Sequence, residues 1–162
     1  MYAIIRVAPQ RWWIIAWAVF VGDWIYHCPD RRALRALEGR TTPVYRYLFG
    51  GALSDPRHSA KLASHGVDVP FVFGNFGTLT TTAAERDLSK AMKTRWAALV
   101  SSGSPSRDGS WRPWDARGSL LALGLAEITM GEGFRNAECD VLDQIPPLRD
   151  QPADRLPFPT SP

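Results

Sequence analysis

The sequence predicts an α/β fold, in which helices flank a sheet. Residues 83–102 carry apolar residues at helical spacing, whereas residues 43–49 (PVYRYLF) alternate and are rich in aromatic and β-branched residues, as strands are. Residues 120–130 are apolar and punctuated by glycine, which favours extended structure. A length of 162 residues corresponds to one domain with room for a core.

The composition is that of a globular protein. Hydrophobic residues make up 45% of the chain and charged residues 22%, which excludes a disordered polyelectrolyte and a coiled coil. The net charge is +3, with 9 basic and 5 acidic residues in residues 1–81 and 10 and 11 in residues 82–162. Because no block of like charge stands out, we expect neither a nucleic-acid partner nor an anionic-membrane patch.

An unbroken apolar run of ten residues, WWIIAWAVFV, occupies residues 12–21. A spanning helix needs about 20 such residues, so we expect no membrane span. The run follows two arginines, but the small-x-small site of Ala16 and Ala18 lies inside the run, which makes a cleaved signal peptide the less favoured interpretation. The favoured one is a helix over residues 12–26 that packs into a larger body. Its aromatic face is formed by Trp13, Trp17, Phe20 and Trp24.

A second helix is expected over residues 30–38. The residue before a proline avoids helical geometry, so Cys28-Pro29 should interrupt the first helix, with Asp30 as the candidate N-cap of the second. The glycines, the proline and the scattered polar residues of residues 50–64 predict a loop. After it, the apolar stretch VDVPFVFG contains Pro70, which predicts a turn or an edge rather than a central strand.

The clearest helix covers residues 83–102. Thr82 and Glu85 form a capping box at its start, and Gly103 stands where a C-cap glycine belongs. Its apolar stripe consists of Leu88, Met92, Trp96 and Leu99. Residues 136–144 predict a last short helix. Residues 146–162 contain six prolines and are expected to form an irregular or disordered tail behind a domain of residues 1–145.

Few residues are candidates for chemistry. Cys28 and Cys139 lie far apart without a C-x-x-C motif or a Cys/His cluster, so neither a metal site nor a cofactor is expected. They are either two separate thiols or one disulfide, which would stabilise the fold by about 4–5 kcal/mol in the chain-entropy model. His65 follows a strand and a glycine-containing loop, which is the setting of the catalytic histidine in α/β hydrolases. A loop histidine taken by itself is more often structural or exposed to solvent.

The segment from His65 to Gly74, HGVDVPFVFG, resembles the catalytic-histidine segment of type B carboxylesterases, the family of acetylcholinesterase and para-nitrobenzyl esterases. Five further segments resemble the family in its own order: Asp23 to Pro29, residues 43–49, Leu88 to Met92 with Trp96 and the turn at residues 103–105, Trp111 with Trp114, and Cys139 to Asp143. Together the six segments cover roughly residues 17–145.

The resemblance implies a C-terminal fragment of the α/β-hydrolase fold, with few strands, flanking helices and an incomplete sheet, and it implies carboxylic-ester hydrolysis. His65 would be the general base and acid of a Ser-His-Glu/Asp triad. Gly66 would let the backbone turn beside it, and Asp68 would be the supporting carboxylate, a position where the family usually has glutamate. Cys28 and Cys139 match a family disulfide, which forms if the compartment is oxidising.

The 162 residues contain no G-x-S-x-G motif, so the segments that resemble the family include its catalytic histidine but not its nucleophilic serine. In the family the serine, the oxyanion loop and the acid precede the histidine, and the 64 residues before His65 match the part after the acid. We therefore expect the chain to be inactive alone, and an ester substrate to bind only when an N-terminal portion completes the site.

Two alternatives remain open at this stage. One is a split enzyme that is completed by a separately encoded N-terminal partner chain, and the other is a non-catalytic, cholinesterase-like binding module. The presence of His65 counts mildly against the second. Family members are often secreted or periplasmic, but no convincing signal peptide is present, so the sequence leaves the compartment, the ester and the oligomeric state open.

Overall fold

The computed structural model of the chain describes residues 12–58 and 64–145, so the predicted tail of residues 146–162 lies outside the described residues. In chain order the elements are α1 (Trp12–Gly22), a π-helical turn (Asp23–His27), α2 (Cys28–Ala36), β1 (Tyr47–Phe49), α3 (Val69–Phe73), α4 (Ala83–Ser102), β2 (Leu120–Leu123), β3 (Ile128–Gly131) and α5 (Asn136–Leu142). They divide into two compact units. We call residues 12–36 and 135–145 the helical unit, and residues 37–58 and 64–134 the sheet unit.

The predicted break at Cys28-Pro29 is wrong, because the chain stays helical from α1 into α2. Proline has no N–H to donate, and its ring would clash with the carbonyl four residues back in an α-helix. The chain avoids this clash by widening the preceding turn, in which the Cys28 N–H donates to the Asp23 carbonyl, five residues back. Helix α2 therefore begins at Cys28 rather than at Asp30.

The helical unit is held by a covalent bridge and by ion pairs. Cys28 and Cys139 form the disulfide that the family resemblance implies, with Cα atoms 5.2 Å apart. The buried Arg31 donates to the Asp143 carboxylate at 2.6 Å and lies 2.8 Å from that of Asp140. Burial raises the pKa of Asp143, but hydrogen bonds from Arg31 and Arg32 lower it below its usual 3.8. Ion pairs therefore stabilise this unit, which has few buried apolar side chains.

Helix α1 contains no buried residue in the described part of the chain. The predicted helix is confirmed. Trp13, Trp17 and Phe20 are exposed in the described part of the chain, and the expected packing of this aromatic face into a larger body stays a prediction. Within residues 12–58 and 64–145, no helix combines the length and the hydropathy that crossing a bilayer requires.

The sheet unit is built on three strands in the order β1-β2-β3. Strand β1 runs parallel to β2, with Tyr47 opposite Leu121, and β2 runs antiparallel to β3, with Leu121 opposite Met130. The predicted extended stretch at residues 120–130 is therefore a hairpin. The Arg46 carbonyl accepts from the Leu121 N–H at 2.9 Å and from the Trp111 indole N–H at 3.1 Å.

The predicted strand at residues 43–49 is confirmed only over its last three residues. Upstream of β1, the Val44 carbonyl accepts a 2.7 Å hydrogen bond from the Trp114 N–H instead of a bond from the sheet. The stretch around Pro70, predicted as a turn or an edge, is helix α3. Proline is tolerated in the first turn of a helix, and the helix ends at Gly74 with φ +64°.

Helix α4 has the predicted bounds and both predicted caps. The Glu85 N–H donates to the Thr82 hydroxyl, the Glu85 carboxylate accepts from the Thr82 N–H, and Gly103 adopts a left-handed conformation with φ +72°. One core joins this helix to α3, β2 and the surrounding loops, and it consists of Leu53, Phe71, Leu88, Met92, Trp111, Leu121 and Leu123. Helix α5 confirms the predicted last helix, over residues 136–142.

Candidate functional site

His65 lies in a tight turn between β1 and α3, and its side chain is exposed. The Val67 N–H donates to the Ser64 carbonyl at 3.1 Å, and the Val69 N–H donates to the Gly66 carbonyl at 3.2 Å. Gly66 has φ +82°, a left-handed conformation that glycine adopts without steric cost. No atom lies within 4 Å of a Cβ placed there, so the turn needs glycine for its backbone angle and not for space.

Asp68 connects this turn to β1 and to α3. Its carbonyl accepts the N–H groups of Phe71 and Val72, each at 3.0 Å, and so begins the helix. Its carboxylate accepts a 2.8 Å hydrogen bond from the hydroxyl of Tyr47, which lies on β1. The Tyr47 ring in turn packs edge-on against Trp96, with centroids 5.0 Å apart. The Asp68 side chain is therefore held by β1, and its role as a supporting carboxylate stays a prediction.

Helix α3 directly follows the His65 turn and is held in place by the core. Phe71 is fully buried, and its ring packs against Phe49 and Phe76 at centroid distances of 5.0 and 5.1 Å. The buried hydroxyl of Ser89, on α4, donates to the Phe71 carbonyl at 2.8 Å. A hydrogen bond made away from water is worth more than one on the surface, so α3 is fixed to α4 directly behind the turn.

Two buried carboxylates, which sequence reasoning did not assign to a site, fix the loop that follows β1. Asp55, 2% exposed, accepts from the Arg57 guanidinium at 2.8 and 2.9 Å and from the Thr80 N–H at 2.9 Å. Glu85, also buried, accepts the Ser54 N–H at 2.6 Å in addition to its bonds with Thr82. The capping box predicts the contact of Glu85 with Thr82, but no sequence signal indicates the contact of Glu85 with Ser54.

The pKa values of these two carboxyls follow from their partners. The Arg57 side chain, aided by the Thr80 N–H, holds the pKa of Asp55 well below its usual 3.8. Burial raises the pKa of Glu85, but the N–H groups of Thr82 and Ser54 lower it by more, so it lies below its usual 4.5. Both carboxylates are ionised at neutral pH and already saturated with donors, so we assign them a structural role.

The structure brings His65, Gly66 and Asp68 together in one turn, while Cys28 and Cys139 lie in the helical unit. The residue that sequence reasoning missed is Tyr47, which lies on β1 and contacts the turn through Asp68. The alternation of Tyr47 with Leu48 predicts its place in the strand, but its hydrogen-bond partner, Asp68, lies 21 residues further along the chain. In the described ranges, no cluster of three or more His, Cys, Asp or Glu side chains has the arrangement of a metal site.

The sequence model of the carboxylesterase family matches residues 13–142. The chain belongs to the carboxylesterase family. It is similar to a fumonisin B1 esterase of Sphingopyxis macrogoltabida, with 30% identity over 105 residues, 57% of this chain and 19% of that protein. It is also similar to the pyrethroid hydrolase Ces2a of Mus musculus, with 32% identity over 64% of this chain and 20% of that protein.

Acetylcholinesterase of Bungarus fasciatus is a third relative, with 30% identity over 59% of this chain and 17% of that protein. The chain thus spans about a fifth of the length of the curated relatives it matches. Membership of the carboxylesterase family relates it to ester hydrolases and implies the α/β-hydrolase fold. The three-stranded mixed sheet with its helices is a small α/β structure that agrees with part of such a fold.

Proposed function

We propose that this chain contributes the histidine part of a carboxylic-ester hydrolase, with His65 as the triad base. The observation that supports this most is that the His65-Gly66 turn lies inside the stretch that matches the carboxylesterase family. The turn is anchored by α3 on one side and by the Tyr47–Asp68 hydrogen bond on the other. Such anchoring is what a general base needs, since its ring must meet the nucleophile in a defined geometry.

The proposed chemistry is acyl transfer. The imidazole of His65 accepts the proton of a serine hydroxyl as its oxygen attacks the ester carbonyl, and returns that proton to the leaving alcohol when the tetrahedral intermediate collapses. Water then attacks the acyl-enzyme with the same histidine acting as base and then acid. The serine is supplied by polypeptide outside the 162 residues, because the chain has no G-x-S-x-G motif. The acid and the oxyanion donors come from the same source, because in the family they precede the histidine.

A direct test is to assay the 162-residue chain alone with para-nitrophenyl butyrate. We expect nitrophenol release at the background rate, with His65→Ala indistinguishable from the wild type, since an isolated imidazole lacks a nucleophile and an oxyanion site. The matched control is His58→Ala, in the loop after β1. Turnover that His65→Ala abolishes and His58→Ala preserves would contradict the proposed inactivity of the isolated chain.

A split enzyme is the second candidate, favoured by the coverage of about a fifth of each relative. A neighbouring reading frame that encodes G-x-S-x-G would then supply the partner. Co-expression of the two chains should yield a complex that hydrolyses the nitrophenyl ester, and His65→Ala in this chain should lower kcat by about 10²–10⁴-fold. Two chains that fail to co-purify, or a complex whose activity is unaffected by His65→Ala, would argue for a module that only binds.

A further inference from the structure

Helix α1 is apolar on every side, although none of its described residues is buried. Trp12, Trp13 and Ile14 follow one another at about 100° intervals around the helix, and they are 53%, 69% and 44% exposed. Trp17 and Phe20 are exposed on the next turns. A helix at the surface of a complete domain has one apolar face and one polar face, whereas a helix that is apolar all round is a buried one. Helix α1 therefore needs a cover that surrounds it.

No exposed charge on this segment opposes such burial. Asp23 is the one acidic or basic residue in residues 12–26, and it is already buried. Its carboxylate accepts a 2.9 Å hydrogen bond from the Arg135 guanidinium, so its charge is paired inside the helical unit. Covering α1 therefore desolvates no exposed ion, which would otherwise be the main cost.

The aromatic rings of α1 form a patch of the size that protein interfaces use. A fully buried tryptophan or phenylalanine removes about 150–250 Å² from water, so the exposed parts of the four rings of α1 amount to roughly 400 Å², about half of what one partner contributes to a standard interface. Trp17, Phe20 and Trp24 stack in a row with centroids 5.7 Å apart. Together with Val21 and Ile25 they line a shallow apolar hollow. Such a hollow can receive an apolar side chain of a partner.

The family match indicates which partner provides the cover. The match covers residues 13–142, so nearly all of α1 lies inside the domain of the carboxylesterase family. The chain spans about a fifth of its curated relatives, so most of a complete domain is polypeptide that these 162 residues do not contain. Polypeptide of that size can enclose a helix on all sides. A second copy of this chain would cover one side only and would bring no G-x-S-x-G motif.

We propose that α1 is the docking element through which this chain binds the polypeptide that carries the nucleophilic serine, and that an apolar cleft of that polypeptide encloses α1. The proposal rests on the proposed function, which invokes the same polypeptide, and adds the surface that holds the two together. Docking by α1 and proton transfer by His65 then belong to different residues. Because apolar burial drives the docking, the complex should withstand high salt.

The test is co-expression of the tagged 162-residue chain with a truncated fumonisin B1 esterase of Sphingopyxis macrogoltabida, cut before the stretch that aligns with this chain. The wild type should co-purify with the truncated esterase at low and at high salt. The double substitution Trp13→Glu/Trp17→Glu should weaken binding about a hundredfold or more, since two apolar contacts are lost and two charges would have to be buried. Trp13→Phe/Trp17→Phe keeps apolar rings and should still co-purify.

Val100→Glu is the matched control for an exposed apolar side chain. Val100 is 88% exposed on α4, a helix whose other face is buried, so this variant should bind like the wild type. Because α1 has no buried residue, the double glutamate variant should fold alone with the circular dichroism of the wild type. A photoreactive benzoylphenylalanine in place of Trp17 should cross-link to the truncated esterase, whereas the same group in place of Val100 should not.

His65→Ala separates this proposal from the proposed ester chemistry. It should bind the truncated esterase as tightly as the wild type, and ester hydrolysis that persists in that complex would contradict the proposed function while docking by α1 stands. The docking proposal fails if the wild type does not co-purify or if the double glutamate variant binds equally well. Self-association that the double variant abolishes, or flotation with phosphatidylcholine vesicles in place of esterase binding, would identify a second copy or a lipid surface as the occupant.

Discussion

The two units of this chain are stabilised in opposite ways. The helical unit has few buried apolar side chains, Leu34 and the two half-cystines, and it relies on the Cys28–Cys139 bridge and on the ion pairs of Arg31 and Arg135. The sheet unit has seven buried core residues and no cysteine. The turn carrying His65 therefore lies in the unit with a packed core, whereas the cross-linked unit contains the exposed helix α1.

Removing the bridge should produce the largest effect. Cys28→Ser with Cys139→Ser opens a cross-link between residues 111 apart in sequence, which the chain-entropy model values at about 4–5 kcal/mol. We expect the helical circular dichroism to be lost in two steps, with the step of the helical unit at lower urea concentration than in the wild type and the step that includes α4 of the sheet unit retained. An unchanged helical transition would mean that the ion pairs alone hold the helical unit.

The sheet unit should be most sensitive at Glu85. Glu85→Gln keeps the size of the side chain but places an amide NH₂ among the N–H groups of Ser54 and Thr82, which now lack one acceptor. A buried donor left without an acceptor costs about 1–3 kcal/mol in the free energy of unfolding. The control is Asp87→Asn, an exposed position on the same helix with the same charge change, which should cost less than about 0.5 kcal/mol.

The same variant predicts a dependence on pH. Because the folded-state pKa of Glu85 lies below its usual 4.5, the ionised carboxylate stabilises the fold above that pH, and this contribution is lost as the pH falls through the folded-state pKa. The unfolding midpoint of the sheet unit should therefore decline below about pH 4.5. Glu85→Gln should flatten part of that decline, and an identical acid profile in the variant would contradict this role.

Helix α4 and the Pro29 region show what the sequence could and could not predict. The bounds of α4 depend on Thr82, Glu85 and Gly103, which act on their own neighbours in the chain and are therefore readable locally. At Pro29 the local rule failed. The two ends of the π-helical turn have partners more than a hundred residues away, since Asp23 pairs with Arg135 and Cys28 with Cys139. Those contacts hold a widened turn that no nearby residue signals.

In the candidate site, too, the features set by neighbouring residues were predictable and the long-range contacts were not. His65 and Gly66 were identified because the family motif is contiguous, and Gly66 indeed requires a positive φ. The roles of Tyr47, Asp55 and Ser54 were not predictable, because each depends on how β1 and its loop meet residues 21 to 31 positions later. Whether His65 acts as a general base stays a prediction that the activity assays address.

Substitutions at two glycines should change the free energies of unfolding of the two units in opposite directions. Gly66→Ala places a Cβ on a residue with φ +82°, which should destabilise the sheet unit by about 1–2 kcal/mol. Gly22→Ala, at helical φ −59° with no atom within 4 Å of the new Cβ, should stabilise the helical unit by about 0.5–1 kcal/mol. Urea unfolding of both variants measures the two shifts, and equal signs would disprove the assignment of Gly66 to backbone strain.

A comparably small effect is expected at Tyr47, and it bears most directly on the site. Tyr47→Phe removes the hydroxyl that donates to Asp68 and keeps the ring against Trp96, so the free energy of unfolding should fall by about 0.5–1 kcal/mol. If the hydroxyl holds the His65 turn, amide hydrogen exchange at Val67 and Val69 should quicken while exchange in α4 stays unchanged. Tyr45→Phe, two residues earlier, is the control and should leave the turn amides as they are. Faster exchange throughout the sheet unit would instead show that Tyr47 supports the core as a whole and does not position the turn.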